Sequence, residues 1–193
     1  RKTSHENSDN QYQKNEAALH EWVKYHLDCC GFDRIVLFDD GGLPEIDDDR
    51  VEVHKVDEVL KKFPLDSNLS RQQLCYLYYM KVLFHLSEDT YALFIDGDEA
   101  WAGPVTVKEF LESKGNLICD FALNWVFFTS EEEQDAPKDS VIRRFCHRKV
   151  YNDKHVKSLV NMEVHRYDPV LFACPHCLQS PSTGLIPWMN TSG

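Results

Sequence analysis

The alternation of strand-like and helix-like segments in the first half of the chain predicts an α/β fold, with a mixed, mainly parallel central sheet flanked by helices. Three observations carry this. Short apolar runs at residues 34–38 and 91–95 have the length of buried strands. Stretches between them keep apolar residues at steps of three and four. Acidic or glycine-bearing turn clusters follow both strands directly.

In chain order, residues 1–13 are polar and aperiodic and read as a lead segment. A single domain is expected over 14–193, a length that can bury a real core. The stretch 16–30 reads as a helix. Leu19, Trp22, Val23, Leu27 and Cys30 share one face, and Gly31 supplies a C-terminal stop. The strand at 34–38 runs into Asp39-Asp40-Gly41-Gly42, and residues 51–56 alternate as a second strand. A short amphipathic turn and a loop around Pro64 occupy 57–69. Ser70 is placed to cap a long helix running to about Ser87, with Tyr76, Tyr79, Met80 and Leu83 as its apolar stripe. The strand at 91–95 enters Asp96-Gly97-Asp98-Glu99. A short helix is expected at 105–113, a long strand region at 116–128, and further strands at 141–150 and 156–160. The tail after Cys177 reads as loop.

Composition narrows the partners. The 193 residues carry a formal net charge of −11. Nucleic-acid binding needs a basic face that releases counterions, so no nucleic-acid partner is expected. An acidic site suits a divalent cation instead. No apolar run approaches the roughly 18 residues of a membrane span. The seven cysteines are odd in number and several sit in apolar runs, which reads as reduced core thiols. Free thiols favour a cytoplasmic location. The sequons Asn68-Leu69-Ser70 and Asn190-Thr191-Ser192 leave a Golgi-lumenal domain as the alternative.

Asp96 and Asp98 carry the chemistry. They stand where a buried strand ends, and open α/β sheets bind ligands at the carboxyl ends of strands. On extended chain, residues i and i+2 point the same way, so the two carboxylates are expected to converge. Gly97 between them lets a ligand approach the backbone. Paired carboxylate oxygens suit Mg²⁺ or Mn²⁺, and such an ion can bridge a diphosphate. In a transferase that moves a group to a hydroxyl, a carboxylate must take the hydroxyl's proton. Glu131 and Asp120 are the candidates for that base. Cys174-Pro175-His176-Cys177 has the spacing of a redox dithiol or half a zinc site. It lies far from any first βα junction, and no second Cys-x-x-Cys exists.

Several segments, in order, resemble the GT-A glycosyltransferases of the DUF23 or family-92 group and their bacterial and viral relatives. They are Lys14-Asn15-Glu16 with Glu21-Trp22-Val23 and Tyr25-His26, then Gly31-Phe32 with Val36-Leu37-Phe38-Asp39. Arg71-Gln72 with Tyr76 and Phe94-Ile95-Asp96-Gly97-Asp98-Glu99 follow. Asn124-Trp125 with Phe127-Phe128, Arg144-Phe145 and Lys157-Ser158-Leu159-Val160-Asn161 complete the set, which spans about residues 14–177. Ala100 replaces the family's usual aromatic. The polar residues before Lys14 replace its apolar first strand.

The resemblance implies a Rossmann-like GT-A fold and transfer of a sugar from a nucleoside-diphosphate sugar, with a UDP-sugar favoured, to a glycan hydroxyl, with inversion. Asp96 and Asp98 would hold the metal and diphosphate. Lys14, Asn15, Glu16 and Asp39 would line the nucleotide pocket, Arg71 would sit near the nucleotide or diphosphate, and Gly97 would face the donor. A histidine after the strand at 157–161 would complete the metal shell, either His165 or, preferred for its order in the chain, His176. A metal-dependent phosphohydrolase or nucleotidyltransferase, and a degenerate transferase without turnover, are the competing readings.

Overall fold

The computed structural model describes residues 18–62, 69–115, 119–129, 140, 147–148, 155–165, 171–174, 177–179 and 188–190. Helix α1 covers residues 18–24 and continues as a π-helical turn at Tyr25–Cys29. It stops where Gly31 takes a left-handed φ of 79°, the conformation glycine enters without a Cβ penalty. Strands β1 (Ile35–Asp39) and β2 (Val51–Lys55) pair in parallel, and α2 (Val56–Lys62) follows without a break. Helix α3 begins at Arg71–Tyr78, passes through a π-turn at Tyr79–Leu83 and tightens to 3₁₀ at Phe84–Leu86. Its start is a full capping box. The Ser70 hydroxyl accepts from the Gln73 amide, and the Gln73 side chain accepts from the Ser70 amide. After β3 (Tyr91–Phe94), α4 (Val107–Ser113) is capped in the same way by Thr106 and Glu109.

The later strands are β4 (Asp120–Asn124), β5 (Phe128–Thr129), β6 (His147–Arg148), β7 (Val156–Asn161), β8 (Leu171–Cys174), β9 (Cys177–Gln179) and β10 (Trp188–Asn190). A four-stranded sheet runs in the order β10-β4-β7-β3. Strand β10 is parallel to β4, whereas β7 is antiparallel to both β3 and β4. Strands β3, β4 and β10 therefore share one direction and β7 opposes it. The architecture is mixed α/β, with a small parallel pair and a larger sheet in which antiparallel ladders predominate. This differs from the expected mainly parallel ladders because β7 returns between two strands that run the other way. Two further expectations change. The strand region at 116–128 is broken after Asn124, and the tail is not all loop, since β9 and β10 lie in it. A three-residue strand is too short to show a period, so only its ladder reveals it. The strand expected at 141–150 lies mostly outside the described residues, which include only His147–Arg148 of it.

Two helix layers cover β1 and β3, and each of these strands feeds both by alternation. Ile35 and Leu37 of β1 pack with Val23 and Leu27 of α1. Tyr91 and Leu93 of β3 pack on the same side with Cys30, Val107, Phe110 and Phe121. On the other side, Val36, Phe38, Ala92 and Phe94 pack with Tyr76, Tyr79, Met80, Leu83 and Phe84 of α3. Val23, Leu27 and Cys30 of the expected α1 stripe are buried, and Leu19 and Trp22 partly so. Tyr76, Tyr79, Met80 and Leu83 of α3 are buried together with Leu74, Cys75, Leu77 and Phe84, which the expected stripe did not include. Cys30, Cys75 and Cys119 are buried free thiols, while Cys29 is exposed. Burial pushes the Cys30 and Cys75 thiols up to about 11, so both stay protonated and unreactive at neutral pH. Among the described residues no helix is long and apolar enough to cross a membrane.

Candidate functional site

Asp96 leaves the C-terminal end of β3, as expected, but the chain does not stay extended beyond it. The Glu99 amide donates to the Asp96 carbonyl at 3.1 Å, closing a turn over Gly97 and Asp98. The i, i+2 argument for Asp96 and Asp98 therefore does not apply. The turn brings Asp96 and Glu99 together instead, and the Glu99 carboxylate accepts from the Asp96 amide at 3.0 Å. Asp98 is exposed at the tip.

Lys157 of β7 meets this pair. Its ammonium lies 2.8 Å from Asp96 Oδ2 and 2.9 Å from Glu99 Oε2, and 5.7 Å from the centre of the Trp125 ring. Its side chain is only 6% exposed, against 9% for Glu99 and 36% for Asp96. Gln72, in the first turn of α3, donates to Asp96 Oδ1 and to the Tyr76 hydroxyl. Burial raises the Tyr76 phenol, so it remains a neutral hydroxyl beside the carboxylates. Glu99 Oε1 is buried and has no hydrogen-bond partner. An orphaned buried acceptor is costly and points to a missing donor or cation.

The loop that carries Glu99 is gripped by α1. The Trp22 indole donates to the Glu99 carbonyl at 2.5 Å, and the Tyr25 hydroxyl donates to the Trp101 carbonyl at 2.8 Å. His26 Nδ1 lies 2.8 Å from the Trp22 carbonyl, and its Nε2 lies 3.3 Å from the Trp101 amide. Donation from Nδ1 and acceptance at Nε2 require the neutral ring. Burial, the main cause, lowers the His26 pKa in agreement.

A cavity of about 970 Å³ opens beside these groups. Asp40, Arg71, Gln72, Asp96 and Gly97 stand at its mouth by the carboxyl ends of β1 and β3. Asp33, Arg34, Glu88 and Asp89 line it at the starts of those strands. Lys108 and Glu112 of α4 line it too, and apolar side chains of β1, β3, α1 and α3 line the rest. Arg71 Nη2 bridges Asp40 at 2.5 Å and Asp57 at 2.8 Å in an exposed network at the mouth. Asp39 is turned into its own loop, where Oδ1 accepts from the Gly41 and Leu43 amides. Its neighbour Asp40 takes the mouth position expected of Asp39. A Cβ on Gly97 would meet nothing within 4 Å, so any need for glycine there comes from a ligand.

Asp120 and His165 lie elsewhere. Asp120 opens β4 and is 0% exposed. Its Oδ1 accepts from the Asn161 amide at 2.8 Å, and its Oδ2 lies 2.7 Å from His165 Nε2. Along β7, Asn161 is four residues from Lys157, or ~13 Å at ~3.3 Å per residue. Asp120 is thus at the opposite end of the sheet from Asp96, inside the core, and cannot reach an acceptor hydroxyl. His165 is bound to it and cannot complete a metal shell at Asp96. Lys14, Asn15, Glu16, Glu131 and His176 lie outside the described residues. Among the described residues no three His, Cys, Asp or Glu side chains converge tightly enough to form a metal cage.

Sequence reasoning passed over Gln72, Glu99 and Lys157 as site residues. Glu99 had a signal, since a turn of four residues returns its last member to the first. Gln72 and Lys157 lie 24 and 61 positions from Asp96, and no local pattern links them. In comparisons with protein-family models, curated proteins and solved structures, nothing matches the chain.

Proposed function

We propose that the chain is a GT-A-type, Rossmann-like glycosyltransferase domain that takes a sugar from a nucleoside-diphosphate sugar, a UDP-sugar in the favoured case, to a glycan hydroxyl. The observation that carries this reading is a carboxylate cluster at the C-terminal end of β3, opening onto the mouth of a large cavity beside the start of α3. Ligands of open α/β sheets bind in that position. Asp96, Asp98 and Glu99 offer hard oxygen ligands, and the orphaned Glu99 Oε1 fits a hard divalent cation. Asp98 and Asp96 would hold Mn²⁺ or Mg²⁺, with Glu99 behind them. When bound, the cation neutralises charge on the diphosphate as the nucleotide leaves.

The chain's own groups do the rest. Gln72 and Lys157 fix the Asp96 carboxylate at the end of its strand. Arg71 sits at the mouth with a guanidinium whose fork suits a phosphate. Trp22, Tyr25 and His26 hold the Glu99–Trp101 backbone in place. With Asp120 buried, Glu131 is the remaining candidate for the base that takes the acceptor's proton, which gives a single inverting displacement.

A second reading, a module that binds without turnover, is favoured by Lys157. Its ammonium already neutralises Asp96 and Glu99, where a transferase would bring a metal ion. Calorimetric titration of a panel of nucleoside-diphosphate sugars, with Mn²⁺ and with chelator, separates the two when paired with a radiolabelled transfer assay. Metal-dependent binding of one donor that is lost in Asp98→Ala, together with transfer, supports the transferase. Binding unaffected by chelator and without transfer supports the module. No binding by any donor to folded protein excludes both.

A further inference from the structure

Strand β2 pairs with β1 on one side, and among the described residues no strand is laddered to its other edge. The ladder shows which backbone groups that edge offers. Ile35 is registered on Val51, and its amide donates to the Arg50 carbonyl at 2.9 Å. In a parallel ladder the amides of Glu52 and His54 then turn towards β1, and those of Val53 and Lys55 turn away from it. An outward row of this kind is a template for another strand unless proline, a bulge or a cover blunts it. Strand β2 has neither proline nor a break in register, and the Val53 side chain beside the outward row is 44% exposed. On the α3 side of the strand, His54 packs against Phe38 and Tyr78. Its Nε2 is buried without a hydrogen bond, although Glu52 Oε1 of the same strand lies 2.7 Å away. A hollow of about 240 Å³ opens beside it, with Lys55, Glu58, Lys62 and Tyr78 among its walls.

We propose that the outer edge of β2 is the contact of a symmetric dimer, in which it pairs antiparallel with β2 of a second copy about a two-fold axis at Val53. The outward groups select this register. Val53 exchanges both of its backbone hydrogen bonds with the partner's Val53, and the Lys55 amide donates to the partner's Val51 carbonyl. The Val51 amide is spent within its own turn on the Asp48 carbonyl, so the Val51 carbonyl is the group left to accept. The two exposed valines then cover each other across the axis. On the α3 side, Glu52 stands directly opposite the partner's His54, at the separation where cross-strand charges interact. A carboxylate thus enters each hollow beside the buried Nε2 and the two lysines. Charge along the strand agrees with antiparallel pairing. The acidic run Asp47–Asp49 leads into β2 and Lys55 leaves it, so the acidic start of one copy meets the basic end of the other. Asp57, the next acid in the chain, is held by Arg71 at 2.8 Å. A second copy is the one occupant whose charges are already matched to this edge. This inference is independent of the proposed activity.

Sedimentation velocity over a concentration series tests it on four samples of the 193-residue chain: wild type, Val53→Lys, Val53→Asp, and an equimolar mixture of the two variants. Val53 is half exposed, so both variants are expected to fold. Wild type is expected to dimerise reversibly in the micromolar range. Each variant alone is expected to dimerise at least about tenfold more weakly, because like charges then meet at the axis. The mixture is expected to regain association, because the two substituted side chains carry opposite charges. Hydrogen–deuterium exchange on wild type reads the same contact. The Val53 and Lys55 amides are expected to slow at least about tenfold as the dimer forms. The Glu52 amide, already bonded to β1, is expected to change little. A wild-type chain that stays monomeric across the micromolar range overturns the proposal, as does a dimer that forms equally well in both variants. A mixture that associates no better than either variant alone overturns the two-fold register at Val53. Val53 and Lys55 amides that exchange at one rate in monomer and dimer overturn the edge pairing itself.

Discussion

The two ends of the larger sheet each carry an aspartate, and the two are used in opposite ways. Asp120 is sealed in the core, with both oxygens engaged by Asn161 and His165. Asp96 stands at a cavity mouth, partly exposed, sharing Lys157 with a glutamate that keeps one oxygen orphaned. A fully satisfied buried network holds a fold together, while an incompletely satisfied one at a strand's carboxyl end is where a ligand has something to gain. The same residue type thus separates into an anchor and a candidate ligand through burial and partner count alone.

Removing the anchor is expected to have the largest effect. Asp120→Ala leaves His165 and the Asn161 amide buried without their acceptor, and should cost about 3 kcal/mol in urea denaturation. If the loss stayed below about 1 kcal/mol, the anchor half of the contrast would be wrong. At the other end, Lys157→Met removes the cation shared by Asp96 and Glu99. A loss of about 2 kcal/mol is expected. Millimolar Mn²⁺ should restore much of it, because a divalent ion can replace the ammonium among the same oxygens. Thermal melts of wild type and variant, with and without Mn²⁺, read this out. Equal metal response in both proteins would mean that Lys157 does not stand in the cation's place.

A smaller effect comes from the grip of α1 on the site loop. Unfolded, His26 titrates near the ordinary histidine value of ~6.5, whereas burial lowers it in the folded protein. Between the two values the unfolded chain holds the extra proton, so stability rises with pH and falls on acidification below about pH 6.5. The slope from this group approaches ~1.4 kcal/mol per pH unit at most. Urea midpoints at pH 7.5 and 5.5 should fall more steeply for wild type than for His26→Gln. The smallest effect is expected for Gly97→Ala. Nothing within 4 Å opposes the added methyl, so stability should change by less than about 0.5 kcal/mol. Donor affinity should fall, since the methyl would stand where a diphosphate approaches.

Much of the local architecture was legible in the sequence. Ser70 marks the start of α3, Gly31 marks the end of α1, and an apolar run marks β3 with Asp96 at its carboxyl end. These features depend on a few adjacent residues and on backbone chemistry. What was not legible depends on distant partners. Nothing near Asp120 says that His165 will meet it in the core, or that β4 begins at the far end of the sheet. Nothing near Lys157 says that its ammonium will reach across from β7. The Asp-Gly-Asp spacing also suggested convergence on extended chain, whereas the turn hydrogen bond from Glu99 to Asp96 selects Glu99 as the converging carboxylate.

The most direct measurement is donor titration on Asp96→Asn and Asp120→Asn side by side, with Mn²⁺ present and at a temperature where both are folded. Asp96→Asn is expected to keep its stability within about 1 kcal/mol of wild type and to lose nucleoside-diphosphate-sugar binding. Asp120→Asn is expected to lose stability and keep the wild-type affinity. Unchanged binding in Asp96→Asn, or binding lost only in Asp120→Asn, would contradict the placement of the donor site at the carboxyl end of β3.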